Sequence, residues 1–387
     1  MKILFLAAEP CFIVRGRSIS LYNTLLALAQ AGHKVDLLCL PGGNMRTAIP
    51  NVRVYYLHCR PFADDLRFGV LFMMFLKGFF LCADRKYDVI HALEETGWIG
   101  SILKQIFRTK LFFDLGARLL YSHNRQRQAV NPGWIWRTRI RMDSATLHHA
   151  DMIRTVSAKL EDMLKTDPRI KQTVCIQDAP ATTSFQADEE GAHLLREEFS
   201  LGAHPVVVYT GGFSEDHGID LLVRAAHAVH QTLPDVRFLL VGGRPDEILH
   251  TQYLVDSFDL HDICLLAGER SVEEMSACMS LASVLVSPRI RGDRAVFKLL
   301  SYMQSCKPIV ATRIPGHLHL LDESCATLVV AQADTLAQGI LNALREPLTS
   351  KVLGKEALAR VAEQYSLASF NHKMRQAYKQ LTSGSAA

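Results

Sequence analysis

Short runs of aliphatic and β-branched residues alternate along this chain with longer stretches whose apolar positions recur at helical spacing. The first run, Lys2–Ala7, predicts a strand. Ser18–Ala31 carries Leu21, Leu25, Leu28 and Ala29 on one helical face and meets Gly32 as a stop, so it predicts a helix. Val35–Leu40, Val52–Leu57, Val89–Ala92, Lys110–Asp114, Met152–Val156 and Thr173–Ile176 predict the other strands of a first series. A second series begins at Val206–Thr210. It continues through Arg237–Val241, Ile263–Ala267, Val284–Ser287, Ile309–Ala311 and Thr327–Val330, with a helix over Leu221–Leu233. Leu367–Leu381 predicts a last amphipathic helix.

Strand–helix alternation repeated twice predicts an α/β chain with two Rossmann-like parallel-sheet domains facing across a cleft. The expected boundaries are 1–178 for the first domain and 205–365 for the second. The polar stretch around Pro180 makes 179–204 a linker region, and 366–387 is a C-terminal helix that crosses back to the first domain. Doubly wound sheets bind ligands beyond the carboxyl ends of their strands. The residues that follow each strand are therefore the place to look for chemistry.

Composition narrows the class. The chain has 387 residues, 49% hydrophobic and 21% charged, which excludes collagen-like, low-complexity and wholly disordered proteins. Its nine cysteines include no C-x-x-C pair, which removes common zinc-ribbon and thioredoxin-type spacings and fits a reducing, cytoplasmic compartment. The apolar start is interrupted by Glu9 and Pro10, too early for a secretory signal. Phe68–Leu81, the most apolar window, contains Lys77 and falls short of the roughly 20 residues of a membrane span. It predicts a helix that is either buried or lies at an interface. The net charge of +4 hides an asymmetry: residues 1–180 carry 25 Lys+Arg against 15 Asp+Glu, and the remainder 18 against 24. A basic first half fits an anionic partner surface or ordinary surface variation. No nucleic-acid recognition motif accompanies it, so no nucleic-acid partner is expected.

Several strand ends carry candidate groups. Gly16, flanked by Arg15 and Arg17, precedes the first helix, where backbone N–H groups can bind an anion; a simple cap by Ser18 is the alternative. Glu94 and Asp114 follow strands and can orient hydroxyl groups or act as bases. Gly211-Gly212 and Gly242-Gly243-Arg244 follow two strands of the second series, where glycine lets a ligand approach the backbone. Arg289, Arg291, Arg294 and Lys298 place four cations around a helix start, an arrangement that suits a diphosphate or, alternatively, a solvated basic loop. Neither an H-E-x-x-H motif nor an Asp-x-Asp pair is present, so no metal site is implied.

Together, Arg15–Ser20, Leu25–Val35, Tyr87–His91, Val207–Leu222, Phe238–Gly243 and Ser287–Thr312 resemble a family-four retaining glycosyltransferase of the GT-B fold. Lys307-Pro-Ile-Val-Ala-Thr312 is the most typical segment. The resemblance implies transfer of a sugar from a nucleotide-sugar donor, with no further cofactor. It implies donor binding by Gly16, Arg17, Gly211, Gly212, Gly243, Arg244, Arg289, Arg291, Arg294, Lys298 and Ser301, and catalysis by Asp114, Glu94 and Asp293. There are departures from the family pattern. An Arg and a Lys that contact the donor diphosphate are replaced by Gly212 and His217. Two Glu spaced eight apart become Asp293 and Ser301, and an active-site His becomes Gly116. Arg289, Arg291, Arg294 and Lys298 can stand in for the missing cations, and a subgroup shares the Lys298-x-x-Ser301-Tyr302 pattern. Two rivals remain: a non-catalytic descendant that binds a nucleotide-sugar or a protein partner, and a sugar-nucleotide epimerase.

The acceptor side is expected in the first domain. Residues 67–86 join the apolar helix to Arg85 and Lys86, and residues 125–141 interleave Trp134 and Trp136 with five arginines. Tryptophan and cations favour an anionic membrane surface. These features predict peripheral membrane contact at its cytoplasmic side and a lipid-linked or polysaccharide acceptor, as against a core helix beside a solvated loop.

Overall fold

A computed structural model of the chain describes residues 1–10, 16–41, 49–57, 67–115, 134–180, 185–271, 274–292 and 295–383. The chain divides into two compact units, one of residues 1–181 with 367–387, the other of residues 182–366.

The first unit is built on a parallel sheet of seven strands. They are β1 (Lys2–Pro10), β2 (Lys34–Leu40), β3 (Val52–Tyr56), β4 (Val89–Leu93), β5 (Lys110–Asp114), β6 (Met152–Thr155) and β7 (Thr173–Cys175). Their order across the sheet is β3-β2-β1-β4-β5-β6-β7. Ile3 to Ala7 are buried without alternation because helices cover both faces of such a sheet. The helix Gly16–Gln30 contributes Leu21, Leu25 and Leu28 to one core layer. Phe370, Met374 and Tyr378 of the final helix, Leu367–Ser383, join the same layer, so the end of the chain completes the unit in which it begins.

The apolar window expected at 68–81 is a helix, Arg67–Asp84, buried along one side only. Val70, Leu71 and Met74 are buried against the sheet, whereas Phe72, Met73, Leu76 and Phe80 are exposed. Helical periodicity separates the two sets. The window is apolar all round, so the sequence did not distinguish the faces.

The second unit holds β8 (Val206–Thr210), β9 (Arg237–Val241), β10 (Cys264–Gly268), β11 (Val284–Ser287), β12 (Ile309–Thr312) and β13 (Thr327–Val329). All pairings are parallel, in the order β10-β9-β8-β11-β12-β13. The strand order reverses between β8 and β11, which opens a crevice at their carboxyl ends. Within the stretch expected as linker, Glu189–Glu198 forms a helix of this unit. Asp188 caps it by accepting the Gly191 N–H at 2.8 Å, and Ala192 and Leu195 are buried in the core.

Candidate active site

The reversal point between β8 and β11 gathers most of the described candidates. At the end of β8, the Thr210 N–H donates to Tyr302 Oη at 2.8 Å, and the Thr210 carbonyl accepts Lys298 Nζ at 2.9 Å. The same ammonium lies 3.6 Å from the Tyr209 ring centroid. Tyr209 Oη donates to the Gly212 carbonyl at 2.6 Å. Lys298 opens the short helix Lys298–Gln304, and its side chain is drawn back across the strand end. Burial, and then the positive charge of Arg289, hold the Lys298 amine well below the usual lysine range. No carboxylate among the described residues pairs with Lys298. An incoming anion would relieve both penalties.

Backbone geometry keeps this strand end open. Gly211 has φ of +137°, and a Cβ there would lie 3.1 Å from Tyr209 Oη and 3.6 Å from Lys298 Nζ. A side chain would thus fill the space beside the ammonium. The glycines after β9 have a different reason. A Cβ on Gly242 would sit 2.0 Å from the Gly211 carbonyl oxygen, and one on Gly243 would sit 2.7 Å from the Phe213 ring. Close packing of two strand ends by itself demands these residues. Arg244 is likewise used locally. It precedes the helix Pro245–Ser257 and pairs with Asp246 and Glu247, each at 3.3 Å.

The loop after β11 divides the expected cations. Arg289 Nε donates to the Arg291 carbonyl at 2.9 Å, and its charge acts on Lys298 and His217. Arg291 turns the other way, onto Asp216 and Glu215, so it clamps the loop after β8 instead of facing the crevice. The Ile290 N–H donating to the Asp216 carbonyl at 3.1 Å reinforces that clamp. Ser301 lies in the helix behind Lys298, partly buried. Asp293 and Arg294 lie outside the described residues.

Sequence reasoning missed His317, which anchors the loops from below. Its Nδ1 donates to the Thr312 carbonyl at 2.6 Å, which leaves Nε2 to accept from Ser287 Oγ at 2.9 Å. Burial lowers its pKa to about 4. Thr312 Oγ1 in turn bonds the Arg289 carbonyl. Thus the ends of β11 and β12 and the Arg289 backbone form one buried polar cluster. Its only sequence signal is a histidine five residues after a strand.

Asp114 was expected at a strand end facing a ligand, but it is 2% exposed. It accepts Arg154 Nη1 at 2.6 Å, while Arg154 also donates to Asp178 at 2.7 Å and to the Ile176 carbonyl at 3.0 Å. His91 Nε2 stands 3.8 Å from the same carboxylate, and His91 Nδ1 meets Tyr378 Oη at 2.7 Å. Burial alone would raise the Asp114 carboxyl, but Arg154 and His91 outweigh it and hold the pKa at about 2. This carboxylate is engaged in an interior network. Glu94 begins a 3-10 turn after β4 with φ of +46°, partly buried. Gly16 and Arg17 open the helix Gly16–Gln30. Gly116 lies outside the described residues.

Residues 16–170 match the family described as glycosyl transferase 4-like domain, and residues 204–346 match glycosyl transferases group 1. The chain belongs to these group 1, type-4-like glycosyltransferases. It is similar to alpha-D-kanosaminyltransferase of Streptomyces kanamyceticus, 24% identical over 48% of each chain. The chain spans about half the length of the curated relatives it matches. Among solved structures, sucrose-phosphate synthase of Thermosynechococcus elongatus superimposes with a TM-score of 0.82 at 23% identity over 100% of both chains. Anabaena HepE in complex with UDP-glucose gives 0.76 at 18% identity, over 99% of this chain and 100% of that one. The likeness to these structures is one of fold, and the fold is GT-B. Two places where this chain departs from the family pattern face each other: a Cβ on Gly212 would lie 3.1 Å from the His217 ring. Among the described residues no group of three His, Cys, Asp or Glu side chains is placed to hold a metal.

Proposed function

We propose that this protein transfers a sugar, with retention, from a nucleoside diphosphate sugar, and that the crevice between β8 and β11 binds the donor's diphosphate. The observation that carries the proposal is Lys298, a desolvated amine with no carboxylate partner among the described residues, held beside Gly211 and within the field of Arg289. Departure of the nucleotide places negative charge on the diphosphate. Cations already fixed at that point stabilise it without reorganisation. The UDP-glucose bound by HepE, a protein of the same fold, supports a donor of this class. The nucleotide sugar is a co-substrate, and no resident cofactor is assigned.

The test is calorimetric titration of the full chain with UDP-glucose, GDP-mannose and ADP-glucose, alongside Lys298→Met. Methionine keeps the apolar volume and removes the charge. A nucleotide sugar that binds the wild type is expected to lose at least about tenfold in affinity, the loss of one charge-assisted hydrogen bond of 1.5–3 kcal/mol. Unchanged affinity would remove Lys298 from the site.

One observation favours the rival, a non-catalytic binder. The two family cations have become Gly212, with no side chain, and His217, which is neutral at ordinary pH. Donor hydrolysis or transfer by the wild type would dispose of it, whereas binding without turnover, with a membrane extract as acceptor source, would favour it.

For the acceptor, the exposed residues Phe72, Leu76 and Phe80 recur every four positions along the helix Arg67–Asp84. This stripe supports peripheral contact with an anionic membrane at its cytoplasmic face and a lipid-linked or polysaccharide acceptor. The flanking Arg85 is engaged by Asp36 at 3.0 Å, so the apolar stripe carries the argument. No described helix is long and apolar enough to cross a membrane. Of the second membrane segment expected, residues 125–133 lie outside the described residues.

A further inference from the structure

We propose that His217 is a proton-linked cation of the diphosphate crevice: it accepts a proton as a nucleoside diphosphate sugar binds, so donor affinity rises as pH falls. The inference rests on the donor reading above and deepens it.

The geometry is local and well fixed. His217 ends the 3-10 turn Glu215–His217 that follows β8. Its ring packs against Gly212, bonds the Gly212 backbone, and meets Ser214 Oγ through Nδ1 at 3.2 Å. Gly211, the neighbouring residue, faces Lys298 Nζ. Two consecutive glycines thus set an ammonium and an imidazole beside one backbone turn. Arg291 holds the turn in place from the β11 loop through Asp216 and Glu215.

The charged groups that act on the ring come from every neighbouring element. Lys298 at the start of its helix and Arg289 in the β11 loop oppose protonation, while Glu247 on the helix Pro245–Ser257 favours it. Burial is the largest influence, the two cations come next, and together they lower the His217 pKa to about 4. Free His217 is therefore neutral across the physiological range. A diphosphate diester between Lys298 and Arg289 reverses the sign of that local field and offers an acceptor for an imidazolium N–H. The bound state then holds the proton more tightly than the free state. By linkage, affinity climbs as pH falls, by up to about tenfold per pH unit below the bound pKa, and levels off near about pH 4. A lysine there, as in the family pattern, starts from a much higher pKa and would show a weaker dependence.

The experiment is calorimetry of the full chain with UDP-glucose and GDP-mannose at about pH 6 and about pH 8. Each titration is repeated in two buffers of different ionisation enthalpy, so that proton uptake is read directly. Nucleotide sugars are chosen because their diphosphate diester does not itself titrate in this range, unlike a free nucleoside diphosphate. For the wild type we expect tighter binding at the lower pH with net proton uptake. His217→Gln should bind more weakly at the lower pH and take up less proton than the wild type, what remains belonging to Lys298. His217→Lys should bind with weaker pH dependence and less uptake than the wild type. A wild type that binds with pH-independent affinity and no proton uptake overturns the His217 inference and leaves the donor reading intact. The same holds if His217→Gln keeps the wild-type uptake. Absence of binding by any nucleotide sugar overturns the donor reading, and this inference with it.

Discussion

Replacing Asp114 with Asn tests whether that carboxylate serves the fold or the substrate. In the folded protein it neutralises Arg154, which is 1% exposed and makes three hydrogen bonds, two of them to carboxylates. Removing one partner from a buried ion pair costs about 3–5 kcal/mol, because the remaining charge stays desolvated. Asp178 continues to hold the guanidinium, so the lower figure, about 3 kcal/mol, applies. For a unit of about two hundred residues, 1 kcal/mol moves the melting midpoint by roughly 2–4 °C, so the expected fall is roughly 6–12 °C. The pH dependence follows from the same pair. The folded pKa of about 2 lies below the unfolded value of about 3.9, so the stabilisation is complete above about pH 4 and is lost as pH falls toward 2. The assay is thermal unfolding of the full chain by circular dichroism, wild type against Asp114→Asn, at about pH 7 and about pH 3. The gap between the two proteins should narrow at the lower pH. A variant that melts within about 2 °C of wild type at neutral pH, yet loses sugar transfer, would refute this reasoning and return Asp114 to the substrate.

Two further outcomes are expected besides those for Lys298 and His217. Gly242→Ala places a Cβ 2.0 Å from the Gly211 carbonyl at a φ of +117°, and should destabilise the second unit by about 3 kcal/mol or more. Gly268→Ala, at a φ of +66° with open space around its Cβ, should cost only about 1 kcal/mol; denaturant unfolding that ranks the two equally would contradict the close packing described. Wild-type protein should co-float with anionic liposomes at low salt, and Phe72→Ser with Phe80→Ser should abolish this while leaving the melting midpoint nearly unchanged, since both rings are exposed. Failure of the wild type to co-float would remove the membrane reading.

The sequence alone determined the architecture, because burial on a parallel sheet leaves a one-dimensional trace. Runs such as Val206–Thr210 are apolar without alternation since both faces are covered, and the stretches between them repeat at helical spacing. Strand ends were therefore legible, and with them the neighbourhood of Gly211 and Lys298. What each polar side chain does there was not legible, because partners are chosen across long separations. Lys298 meets Thr210 from 88 residues away, Asp114 meets Arg154 from 40, and His91 meets Tyr378 from 287. Arg289 and Arg291 stand two positions apart in the same basic run, yet the charge of one acts on Lys298 and the other clamps Asp216. Composition treats them alike. Only the folded chain, by setting which carboxylates lie within reach of each guanidinium, decided between a cation free to meet an anion and one already spent on structure.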